Sequence, residues 1–82
     1  MHFSVGPNPA RDRLTLRFAE PVAGEVTVQV YDVLGREARY ESRVTPKDQR
    51  TVEVNLAGLP NRLYLLKVRT QNAVKVVRLV KE

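Results

Sequence analysis

The 82-residue chain has no cysteine, so disulfide staples and thiolate metal sites are excluded and the redox compartment stays open. Tryptophan is absent, and three tyrosines with two phenylalanines supply little for a flat sugar-stacking platform. His2 is the only histidine and stands at the start of the chain, so Ser/His/Asp and zinc constellations lack their parts. The glycines are isolated, which leaves no phosphate-cradling loop. Asp12, Asp32 and Asp48 fall beside expected strand ends, where capping and turns account for them better than paired-carboxylate chemistry. An enzyme is therefore not expected, nor any cofactor or metal. No apolar run approaches the roughly 18 residues that cross a bilayer as a helix. The opening MHFSVGPNPARD has no basic stretch followed by a long apolar one, so it does not read as a signal peptide. Met1-His2 read as residues added ahead of the domain, and an exported native protein is expected to be longer than this chain.

A chain of this length reads as one domain, residues 1–82, with no linker and no internal repeat. It buries only about 60–65% of the surface it exposes when unfolded. The core is then thin, with no room expected for a deep pocket of several hundred Å³. The composition is basic, with a net charge of +5 and a pI near 10.1. That balance suits an anionic partner such as nucleic acid, a phosphate-rich surface or an acidic glycan. The ten arginines, however, fall across the whole length and interleave with Glu25, Glu37, Glu41 and Glu53. A solvated surface is the expectation, with no nucleic-acid partner.

Period-two patterning dominates. Leu14, Leu16 and Phe18 alternate with polar residues, as do Val26, Val28 and Val30, and Val52, Val54 and Leu56. Successive strand side chains point to opposite faces, so each run has one buried and one wet face. Seven strands are expected, at residues 3–5, 12–19, 25–32, 36–44, 50–56, 63–70 and 73–80, with Gly-, Pro- and Asn-containing breakers between them, among them Pro46 to Asp48. Short strands at this spacing predict an all-β fold, a seven-stranded antiparallel β-sandwich of immunoglobulin-like architecture. Residues 36–44 carry the weakest apolar face and charges of both signs, which suits an edge strand. The last run has Val74, Val76 and Val80 on one side and Val77 and Leu79 on the other. It is either buried on both faces or touches something outside this chain.

Two local signals are specific. Asp32-Val33-Leu34-Gly35 fits a type I turn, with Asp32 accepting from the Leu34 amide and Gly35 supplying a positive φ and a bulge. The Asp32/Arg36 pair is then turn chemistry. Val33 and Leu34 either fold back onto the sandwich or meet a partner. Tyr64 follows Pro60 by four residues and is placed to bond back across the preceding corner through its hydroxyl.

Three markers in order carry a resemblance: Pro7-Asn8-Pro9-Ala10 before the second strand; Tyr31-Asp32, Gly35-Arg36 at the middle hairpin; and Leu56, Leu59-Pro60 leading to Tyr64. Followed by a final Val/Lys/Arg strand, they resemble the type A C-terminal sorting domain of type IX secretion, found on secreted proteins of the Bacteroidetes. The resemblance spans nearly all of residues 5–82. Arg62 stands where that family often carries Gly, and Gly6 where it often carries an aromatic or apolar residue. The resemblance implies a non-catalytic address joined to an N-terminal cargo such as a protease, glycosidase or adhesin. The cargo crosses the periplasm, an outer-membrane secretion translocon recognises the folded domain, and a cell-surface sortase commonly removes it. The product is at the cell surface or secreted. On this basis Lys75, Val76, Val77, Arg78, Leu79, Val80 and Lys81 are the expected partner-recognition residues. Pairing of two copies through an edge strand is left open. The other reading is a carbohydrate-binding or adhesive accessory module of a secreted enzyme.

Overall fold

The computed structural model describes residues 2–43 and 50–82, with side chains for all of these except 40–43. The expectations for Val44, for the Pro46–Asp48 breaker, for Asp48 and for the Tyr40 side chain lie outside the described residues. Seven strands form: β1 (Phe3–Gly6), β2 (Arg13–Phe18), β3 (Val26–Asp32), β4 (Glu37–Arg43), β5 (Thr51–Asn55), β6 (Leu63–Arg69) and β7 (Val74–Val80). They build two sheets, one in the order β1-β2-β5 and one in the order β4-β3-β6-β7. Every strand pair is antiparallel. The chain changes sheet between β2 and β3, between β4 and β5 and between β5 and β6, and three hairpins join neighbours within a sheet.

The alternating residues meet between the sheets. Leu14, Leu16 and Phe18 of β2 and Val52 and Val54 of β5 face Val26, Val28 and Val30 of β3 and Tyr64, Leu66 and Val68 of β6, all of them buried. The register delivers this by pairing buried with buried: Leu16 lies opposite Val52, Val28 opposite Val68, and Val30 opposite Leu66. A one-residue slip would send each set to the wet face, so the pattern itself pins the register. Ala10 and Leu56, just outside the strands, are fully buried and complete the layer, and Val5, Val22, Ala38 and Leu59 pack against its margin. Each fully buried aliphatic side chain contributes about 1.5–3 kcal/mol relative to exposure.

β4 and β7 are the two edges of the larger sheet. Of the two alternatives for the last run, the structure takes the exposed one. Val77 and Leu79 face the core, while Val74 and Val76 are 51% and 53% exposed on the outer face.

Candidate functional site

The sequence markers turn out to be joints of the sandwich. At the β3–β4 hairpin, one carboxylate organises the turn. Asp32 Oδ1 accepts from the Leu34 amide and from the Arg36 amide, each at 2.9 Å, and Oδ2 accepts from Arg36 Nε at 2.8 Å. The Gly35 amide donates to the Asp32 carbonyl at 3.0 Å, and Gly35 has φ of 84°. This is the expected turn and left-handed glycine. A further register shift lies between Val30 and Tyr31, opposite Ala38. The hydrogen bond from the Arg36 amide, joined by the Arg36 guanidinium and the Leu34 amide, holds the Asp32 carboxyl below its ordinary 3.8, against the opposing effect of burial. Both carboxylate oxygens of Asp32 therefore accept hydrogen bonds from within the turn. Val33 and Leu34, at 62% and 75% exposure, do not fold back onto the sandwich.

Tyr64 is 1% exposed, and its hydroxyl donates to the Pro60 carbonyl at 2.6 Å. That is the expected corner bond, formed where the chain crosses from β5 to β6. The approach is shaped by a turn in which the Leu59 amide donates to the Leu56 carbonyl at 3.2 Å, with Gly58 at φ 84°.

Pro7-Asn8-Pro9-Ala10 forms a strap from the smaller sheet to the end of β7. Its Gly6–Pro7 and Asn8–Pro9 peptide bonds are cis. Asn8 Oδ1 accepts from the Val80 amide at 3.2 Å. The Ala10 amide donates to the Val80 carbonyl at 2.7 Å, and the Glu82 amide donates to the Ala10 carbonyl at 2.8 Å. A parallel bridge between Ala10 and Lys81 results. This pairing across seventy residues carries no local sequence signal.

The expected recognition residues divide. Val76 and Arg78 are exposed, and Lys75 is exposed with its ammonium 5.3 Å from the Phe3 ring centre. Val77 and Val80 are half-buried. Leu79 is 0% exposed and belongs to the core, and Lys81 is 7% exposed with Nζ 3.4 Å from Asn61 Oδ1. In the closed fold neither Leu79 nor Lys81 offers a surface. Leu79 is placed in the core because the Val77 and Leu79 side chains point between the sheets. Tyr31, on the outer face of β3, is half-buried between Glu37 and Leu65.

Among the described residues no three of His, Cys, Asp and Glu converge on a metal-sized site. An open depression of about 420 Å³ lies at one end, lined by His2, Phe18, Pro21, Val22, Thr70 and Gln71 among others. A wider one of about 750 Å³ adjoins it. Both depressions open to solvent at the surface of the sandwich. Tyr64 spends its hydroxyl on the corner, so the described residues present no tyrosine cluster for a sugar.

The marked residues serve the turns and seams of a two-sheet immunoglobulin-like β-sandwich. The solved structure of a DUF3244 family protein with an immunoglobulin-like β-sandwich fold from Bacteroides vulgatus is similar in fold. Its TM-score is 0.74 at 20% identity, over 98% of this chain and 84% of that one. No curated protein matches the chain. Residues 4–82 match the secretion system C-terminal sorting domain family, and the chain belongs to that family, whose members serve type IX secretion. A sorting signal of this kind implies an attached cargo, recognition by the secretion machinery, and export to the cell surface or beyond it.

Proposed function

We propose that residues 1–82 act as one non-catalytic sorting domain at the C-terminal end of a cargo protein. The folded sandwich is presented in the periplasm to the outer-membrane translocon of type IX secretion, and a sortase processes it at the cell surface. The observation that carries this reading is the family match across residues 4–82, nearly the whole chain. The structure adds a physical reason for reading the terminal hairpin as the address. Asp32, Tyr64 and Asn8 are committed to internal hydrogen bonds, whereas Val74, Val76 and Arg78 of β7 stand in solvent. A signal read by another machine needs an exposed shape, and these residues supply one.

A fluorescent reporter carrying residues 1–82 at its C-terminus, expressed in a type IX-competent bacterium, is expected at the cell surface or in the medium. The same reporter lacking residues 73–82 is expected to accumulate in the periplasm. Normal export of the truncated form would sink the assignment of the address to this hairpin. Retention of the full form would sink the sorting reading itself.

A further inference from the structure

Hydrogen bonding along β7 follows a strict alternation. The Lys81 amide donates to the Arg62 carbonyl and the Thr70 amide to the Ala73 carbonyl, so odd-numbered residues turn their backbone groups toward β6. Even-numbered residues turn theirs away. At Val80 those outward groups are taken by Asn8 and Ala10. At Val74, Val76 and Arg78 they have no partner among the described residues. The result is a short open ladder with a fixed stop: an added strand can run along Val74 to Leu79 and no further.

Charge is segregated onto the same hairpin. Residues 1–53 hold eight Lys/Arg and eight Asp/Glu, which cancel. From Val54 to Lys81 there are six Lys/Arg and no acid. Lys67, Arg69 and Arg78 share the outer face of β6 and β7 with the exposed Val74 and Val76, and Lys75 flanks the edge from the inner side. The opposite edge, β4, carries Glu37, Arg39, Glu41 and Arg43 in alternation, a pattern that opposes strand addition.

We propose that the open edge of β7 receives an extended acidic–apolar peptide segment of the secretion partner, added as a fifth strand beside Val74 to Leu79. Backbone groups at Val74, Val76 and Arg78 pair with the incoming strand. Its valine-like residues lie beside Val74 and Val76, and its carboxylates come within reach of Arg78 and Lys75. A second copy of this chain would bring an equally basic hairpin to the edge, so charge favours the acidic strand. This inference rests on the sorting reading above and names the chemistry of its partner.

The test uses isotope-labelled domain and a capped ten-residue peptide with two valines and a glutamate in succession along one face and glutamates along the other. The expected result is perturbation of the Val74, Val76 and Arg78 amides, with slowed hydrogen exchange there and affinity that falls as salt rises. A lysine–valine counterpart, and the Arg78→Glu and Val76→Pro variants, are each expected to bind at least tenfold more weakly. Arg78 is exposed, so Arg78→Glu should melt as the parent does, and it keeps the test valid if Val76→Pro unfolds. Equal binding of the lysine peptide, perturbation confined to another edge, or edge amides already protected in a sedimenting dimer would overturn the proposal. In the reporter assay, normal export of Val76→Pro and Arg78→Glu fusions would overturn strand addition and leave the sorting reading standing. Failure of the parent fusion to leave the cell would remove the sorting reading, while the peptide titration still judges the edge.

Discussion

Replacing Tyr64 with Phe removes one oxygen from a residue that is 1% exposed and whose hydroxyl donates to the Pro60 carbonyl at 2.6 Å. The ring remains, so no cavity opens, and the cost of about 3–5 kcal/mol typical of truncating a buried aromatic to Ala does not apply. The change loses the net value of one hydrogen bond, about 0.5–1.5 kcal/mol. Pro60 is itself exposed, so its carbonyl can recruit water once the hydroxyl has gone. That keeps the loss short of the ~3 kcal/mol of an orphaned interior acceptor. A chain of this size has a stability of about 4–12 kcal/mol. A loss of about 1 kcal/mol then lowers Tm by about 4–8 °C. Urea unfolding followed by far-UV circular dichroism should show a lower midpoint with an unchanged slope. Tyr31→Phe is the matched control, because no hydrogen bond is formed by the Tyr31 hydroxyl among the described residues; its effect should stay within about 0.5 kcal/mol. A Tyr64→Phe protein within about 0.3 kcal/mol of the parent, or a Tyr31→Phe protein equally destabilised, would refute the corner bond as a source of stability.

Asp32→Asn tests the turn through pH. The folded-state pKa of Asp32 is depressed, so its stabilisation is complete above the unfolded value near 3.8 and is lost as pH falls through the lower folded value. The gap in melting temperature between parent and variant should therefore be constant from pH 7 to about 5 and shrink toward pH 2, and a gap that widens on acidification would reverse the sign of the argument. Gly35→Ala meets no atom within 4 Å, so its cost is that of φ at 84° alone, about 1–2 kcal/mol in a urea midpoint. Asn8→Ala removes the acceptor of the Val80 amide and should cost about 0.5–1.5 kcal/mol, with faster hydrogen exchange at Val80 than at Leu66 as the distinguishing sign. Leu66→Ala, at 0% exposure in the centre of β6, should cost about 2–5 kcal/mol and bring the domain close to unfolding at 37 °C, read as loss of the cooperative melt.

The turns show why some of the site could be read in advance. Asp32, Leu34 and Gly35 lie within four residues, so their hydrogen bonds are a local matter of side-chain length and backbone angle. Tyr64 and Pro60 are four residues apart for the same reason. The contact of Asn8 and Ala10 with Val80 had no such signal, because nothing in a Pro-Asn-Pro stretch says which distant strand it will strap. The burial of Leu79 was not legible, because both faces of β7 are apolar in sequence. Period two alone could not say which face would turn inward. The run from Val54 to Lys81 without an acid is written in the sequence, but only the pairing of β6 with β7 gathers its basic residues onto one hairpin.

Alternation of apolar and polar residues, punctuated by Gly, Pro, Asn and Asp, was enough to determine strands, turns and the two-layer class, since each follows from backbone geometry over fewer than ten residues. Only the tertiary structure decided that β7 is an edge strand, that its upper end is closed by the strap at Asn8 and Ala10, and that the outward backbone groups of Val74, Val76 and Arg78 have no partner among the described residues. Those facts depend on which strands become neighbours, and that is settled by the packing of the whole core.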